Sequence, residues 1–121
     1  MAWKLDSDRP IYSQLVERLQ MQIISGKYPS GSKLPSVREF AAEAGVNPNT
    51  MQKAFSELER DGLILTRRTA GRFVTEDTAL IRELRHVLAR QQLTCFFHTM
   101  KQLGYEKKEI LSLLTTETEE E

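Results

Sequence analysis

The 121-residue sequence is short of cysteine, glycine, long apolar runs and net charge, and each shortage closes off a class of protein. A single cysteine, Cys95, cannot form an internal disulfide, so the oxidised framework of small secreted domains is excluded. No apolar run exceeds three residues, far below the length of a membrane-spanning helix. The opening Met1-Ala2-Trp3-Lys4-Leu5-Asp6-Ser7-Asp8 has no apolar core of the signal-peptide kind. These features predict a reduced, cytoplasmic protein with no membrane partner. The six glycines form no phosphate-binding loop. His86 and His98 stand twelve residues apart, not the i, i+4 spacing of a helical metal pair. No cofactor, metal or catalytic constellation is expected, and the chain reads as a non-enzyme. Cys95, beside Phe96 and Phe97, reads as a core or interface thiol.

The net charge is zero, from 17 basic and 17 acidic residues, but the charges are not evenly spread. Residues 1–75 carry 11 basic and 8 acidic groups, and residues 76–121 carry 6 and 9. A front half of +3 and a rear half of −3 imply different surface duties.

Hydrophobic periodicity divides the front half into three helices. Ile11, Leu15, Leu19 and Ile23 step by four, which predicts a helix over about 10–25, with Asp8 as its cap and Gly26 at its end. After a loop rich in Pro, Gly and Ser, Ser36 and Glu39 have the spacing of a capping box, which opens a short second helix ending at Gly45. Asn47 and Pro48 then suit the N-cap and first position of a third helix, whose apolar stripe is Met51, Ala54, Phe55 and Leu58. Two helices joined by about three residues, one a glycine, make a helix-turn-helix pattern. Any short-turn helix pair would look similar. The segment after Gly62 separates the two readings. Leu63–Thr66 and Arg72–Thr75 are β-prone runs around a Gly-containing turn, and Arg67, Arg68 and Arg72 cluster at the tip. A basic hairpin next to a helix-turn-helix is a wing suited to a phosphate backbone or a minor groove.

The residues themselves carry a family resemblance. Pro29-Ser30-Gly31-Ser32-Lys33-Leu34-Pro35-Ser36-Val37-Arg38 resembles the P-x-G-x-x-L-P-S-x-R signature of the GntR family of bacterial transcription regulators. Asn47-Pro48-Asn49-Thr50-Met51 and Leu58-Glu59-Arg60-Asp61-Gly62-Leu63-Ile64 extend the likeness through the third helix into the wing, and the short arm after it is similar to that of the YtrA subfamily. The resemblance implies a sequence-specific, DNA-binding regulator, a homodimeric repressor on an inverted-repeat operator. It implies double-stranded DNA contacts at Ser36, Arg38, Asn47, Asn49, Thr50, Gln52, Lys53, Arg67, Arg68, Gly71 and Arg72. The chemistry of these residues agrees. Arginine grips phosphates or guanine edges, Asn and Gln suit adenine edges, and the threonine methyl suits thymine. Gly71 lets the backbone approach a groove closely.

The expected fold class is mainly α with a small β-hairpin, a winged helix-turn-helix over 1–75 followed by a helical dimerisation arm over 76–121. The arm's stripe of Leu84, Val87, Leu88, Phe96, Phe97 and Met100 has few partners in so short a chain, which favours a homodimer over packing on the winged domain. The tail Thr115–Glu121 is polar and acidic and reads as disordered. Any small-molecule effector, of unknown identity, would have to bind at the dimer interface. A rival of a different class keeps the winged helix as a protein-interaction module without specific DNA binding. The cluster of Arg38 and the wing arginines argues against it.

Overall fold

Leu15, Leu19 and Ile23 form the buried face of α1 (Ile11–Ile24) in the computed structural model, which describes residues 2–120. Apolar residues repeating every four positions gather on one side of a helix, and burying that side is what stabilises it. The start of α1 departs from expectation. Asp8 does not cap it; Pro10 occupies the N-cap, without a side-chain hydrogen bond. The buried Gln14 secures this entry from within the helix. Its Nε2 donates to the carbonyls of Asp6 at 2.7 Å and Arg9 at 3.1 Å, and its Oε1 accepts from the Asp6 amide at 2.6 Å.

The capping box at Ser36 forms as read. The Ser36 hydroxyl accepts from the Glu39 amide at 3.1 Å, and the Glu39 carboxylate accepts from the Ser36 amide at 3.2 Å. This box starts α2 (Val37–Ala44), which buries Phe40, Ala41 and Ala44. Gly45 ends it at φ +74°, a left-handed conformation that a side chain would resist. Space is short there too, because a Cβ on Gly45 would come within 2.9 Å of the Ala2 Cβ. Asn47 caps α3 (Pro48–Arg60) by accepting from the Asn49 amide at 2.8 Å, and Met51, Ala54, Phe55 and Leu58 are buried. Phe40 meets three other rings edge-on or tilted, with centroids at 6.2 Å for Trp3, 5.7 Å for Tyr28 and 5.6 Å for Phe55. Through it α2, α3, the N-terminal segment and the loop after α1 share one core.

The hairpin pairs β1 (Ile64–Arg67) with β2 (Gly71–Val74) in antiparallel register, Ile64 opposite Val74 and Arg67 opposite Gly71. Ile64 and Val74 point into the core and the tip stays exposed. The preceding loop is more ordered than its composition suggests. The Leu34 amide donates to the Arg72 carbonyl at 2.8 Å and the Val74 amide to the Ser32 carbonyl at 2.9 Å, so residues 32–34 run along the outer edge of β2.

Past the wing, the buried Thr75 accepts from the Asp77 amide at 3.1 Å, and Asp77 accepts from the Leu80 amide at 3.1 Å. These bonds start α4 (Thr78–Gln102) without a linker, and α5 (Lys107–Glu120) comes after it. The chain forms two compact units, one reaching Glu83 and the other beginning at Leu84. The tail expected to be disordered is helical through Glu120; Glu121 lies outside the described residues. Thr115, Thr116 and Thr118 donate to carbonyls four residues back, at 3.1, 3.1 and 2.8 Å, and so satisfy their hydroxyls within the helix.

Replacing Gln14 by leucine keeps the volume but removes the clamp on Asp6 and Arg9. Urea unfolding should show a loss of about 1–3 kcal/mol, the usual consequence of leaving part-buried backbone groups unpaired.

Candidate nucleic-acid interface

Helical spacing puts Asn49, Gln52, Lys53 and Ser56 on the side of α3 opposite its buried stripe, and all four are exposed. Asn49, Gln52 and Lys53 are expected there from the sequence; Ser56 is not. A helix that is fully apolar on one side and polar on the other, and reached through a three-residue turn, has the geometry of a recognition helix. Thr50 is half-buried. Asn47 is exposed, but its Oδ1 is already engaged as the helix cap, so only its amino group is free to meet a base.

Lys53 is turned toward α1, its Nζ 4.0 Å from the centroid of the Tyr12 ring. At an exposed site such a contact is worth only about 0.5–1 kcal/mol, so a phosphate can draw the ammonium away. Arg38 is exposed on the first turn of α2, and among the described residues it forms no ion pair. The capping box modifies the expected role of Ser36. Glu39 already occupies the Ser36 amide, and the Glu39 amide is spent on the Ser36 hydroxyl. What remains for a phosphate are the hydroxyl proton of Ser36 and the amides of Val37 and Arg38, which have no partner within the helix.

The three wing arginines separate into different roles. Arg68 is exposed at the tip. Arg67 lies over the Phe73 ring, 4.5 Å from its centroid, on the surface of the hairpin. Arg72 is held by protein. Its Nε donates to Glu59 at 3.1 Å and its Nη2 to Gln52 at 3.3 Å, which ties β2 to α3. Gly71 has φ +104°, and a Cβ there would come within 3.1 Å of the Lys33 side chain. The glycine thus makes room for a lysine as well as for a turn. Lys33 is the cation that the sequence does not single out. It is exposed, and the bridge to Phe73 sets it beside the wing, which no local pattern in a Pro- and Ser-rich loop announces.

Lys33, Arg38, Lys53, Arg67 and Arg68 are therefore cations without a carboxylate partner among the described residues, contributed by one turn, two helices and a hairpin. Together with the polar face of α3 they define a winged helix-turn-helix DNA-binding unit. Residues 11–74, more than half of the chain, match the family described as bacterial regulatory proteins, gntR family. The chain belongs to the GntR family and is a DNA-binding transcriptional regulator, not an enzyme.

The likeness to some relatives reaches past the winged unit. The chain is 40% identical over 116 residues to the HTH-type transcriptional regulator YhcF of Bacillus subtilis, an alignment spanning 96% of each chain. It is 37% identical over 97 residues to the HTH-type transcriptional repressor YtrA of the same organism, over 80% of this chain and 70% of YtrA. Among solved structures, a GntR family transcriptional regulator from Listeria monocytogenes superposes with a TM-score of 0.86 at 38% identity, covering 93% of this chain and 98% of the other. That likeness extends through the helical arm as well as the winged unit.

Cations that grip phosphates reveal themselves through salt. Lys33→Ala and Arg68→Ala should each weaken binding to all DNA sequences alike, and each should lower the slope of log affinity against log salt by about one. Arg38→Ala, if the guanidinium meets a base edge, should cost about 1–3 kcal/mol on the preferred sequence and little on random DNA. Titration of labelled duplexes at several salt concentrations distinguishes these outcomes.

Proposed function

We propose that this regulator is a homodimeric cytoplasmic repressor, paired through its helical arm and bound to an inverted-repeat operator. The observation that carries the reading is the unsatisfied apolar surface of the arm. α4 is 25 residues long, about 37 Å, and has no buried residue. In α5, Ile110 is fully buried, yet Leu111 is 50% exposed. On α4, Leu93 is 53% exposed and Val87 and Phe96 are also exposed, and Leu103 in the turn just after the helix is 67% exposed. Leu84, Leu88, Phe97 and Met100 are half-buried. A two-helix unit with one buried apolar side chain cannot offset its own ordering entropy, and a second copy supplies the missing surface. Cys95 is exposed on the same helix, so its place in this reading is the interface and not a core.

Pairing explains affinity as well as stability. One winged unit offers the five cations Lys33, Arg38, Lys53, Arg67 and Arg68 and a single recognition helix, which makes for weak binding alone. Joining two units makes the second contact intramolecular and raises affinity by roughly 10²–10⁴. Repression is supported by the likeness to YtrA, which is named as a repressor. A small-molecule effector has room in a groove of about 610 Å³ within the arm, lined by Arg90, Leu93, Phe97, His98, Lys101 and Lys107 among others. Its cations suit an anionic molecule with an apolar part.

Phe97→Asp places a charge in the proposed interface. Sedimentation of the full chain should change from a dimeric to a monomeric mass at micromolar concentration, with operator affinity falling by roughly 10²–10⁴. A wild-type chain that sediments as a monomer and still binds its operator tightly would contradict the reading.

A further inference from the structure

Glu59 lies on α3 seven residues beyond Gln52, on the same side of the helix, with Ser56 between them. Its Oε1 accepts from the Thr66 hydroxyl at 2.8 Å and from Arg72 Nε at 3.1 Å. The other end of the same guanidinium donates from Nη2 to Gln52 Oε1 at 3.3 Å, while Gln52 Nε2 donates to the Ser56 hydroxyl at 3.4 Å. The guanidinium also lies over the Phe55 ring, 5.3 Å from its centroid, and Arg72 is only 25% exposed. A planar fork fixed at one end by a carboxylate and backed by a ring has little freedom at the other end. The carboxamide it touches is therefore held with its oxygen toward the wing.

We infer that Arg72 is a positioning residue for base recognition: by holding Gln52 Oε1, it sets which base the recognition helix prefers at one operator position. The inference rests on the placement of Gln52 against DNA. A free glutamine reads adenine with both ends of its amide, accepting from N6 and donating to N7. With one lone pair of Oε1 taken by Arg72, the acceptor half of that reading is weakened. An N–H remains for the groove, and it matches an edge rich in acceptors, such as guanine N7 and O6 or thymine O4. It does not match the amino group of cytosine. The wing thus acts on specificity without touching the base, and Glu59 acts one step further back by anchoring Arg72. Glu59 is the informative member of the set, because a carboxylate has no attraction of its own for a phosphate backbone.

The test uses the full chain and DNA selected by it from a randomised pool. The position read by Gln52 is the one whose base preference Gln52→Ala abolishes, and affinities are then measured for all four bases there. Wild type should favour guanine or thymine over adenine by about fivefold or more, within the range of a good base contact. Arg72→Leu and Glu59→Ala should each move the preference to adenine, and thermal unfolding identifies which variants are folded. An unchanged base order in a folded Glu59→Ala variant would overturn the inference. So would an Arg72→Leu variant that weakens all four sequences equally while lowering the salt slope by about one, the signature of a phosphate contact. If Gln52→Ala changes no preference anywhere, the placement of Gln52 against DNA fails, and the inference fails with it. A preference that depends on Gln52 but ignores both Arg72 and Glu59 overturns the positioning role alone.

Discussion

Phe40 is the contact on which the winged unit depends. It is 1% exposed, and the rings of Trp3, Tyr28 and Phe55 all close on it. α2 has only eight residues and could not hold a fixed direction on its own. Its angle to α3 is set by Phe40 against Phe55, and that angle decides whether Arg38 and the polar side of α3 can face one duplex together. The N-terminal segment is fastened to the same centre, with Trp3 donating its backbone amide to the Ala44 carbonyl at 3.2 Å. A DNA-reading surface made of exposed polar groups has no cohesion of its own. The aromatic cluster beneath it supplies that cohesion.

A second constraint links the wing to the same frame. β1 and β2 have four residues each, too few to be stable alone, and polar contacts hold the hairpin from both sides. On the outer side, the backbone of residues 32–34 pairs with β2. On the inner side, Glu59 binds Thr66 of β1 and Arg72 of β2 through one carboxylate oxygen. The hairpin therefore moves with α3, and the cations of loop, helix and wing keep a common orientation. Fixed geometry of this kind lets a modest number of contacts discriminate between sequences.

Much of this is legible from residue order, and the exceptions share a cause. Leu15, Leu19 and Ile23 announce α1 because helical periodicity is a local property, and Ser36 with Glu39 announces α2 for the same reason. Lys33 escapes notice because its importance comes from Gly71, nearly forty residues later in the chain. Arg72 looks like one more wing cation, since neither Glu59 nor Gln52 is its neighbour in sequence. Gln14 sits beside Leu15 in an apolar stripe, and nothing nearby shows that it will be buried and turned back on Asp6. In the tail the mismatch runs the other way. Composition suggests disorder, while the threonine hydroxyls find partners one turn back in a continuing helix. Periodic and capping signals survive reading in one dimension; contacts between distant polar groups do not.

The protein joins two parts, a rigid basic unit that reads DNA and an apolar arm proposed to bring two such units together. On this view the binding species has two-fold symmetry, and the DNA it selects must carry that symmetry. Selection of bound duplexes from a random pool by the full-length chain is the decisive measurement. Two-fold binding predicts an inverted repeat whose half-site centres are separated by an integral number of helical turns, about 10 base pairs each. A single asymmetric element, bound by one chain, would contradict it.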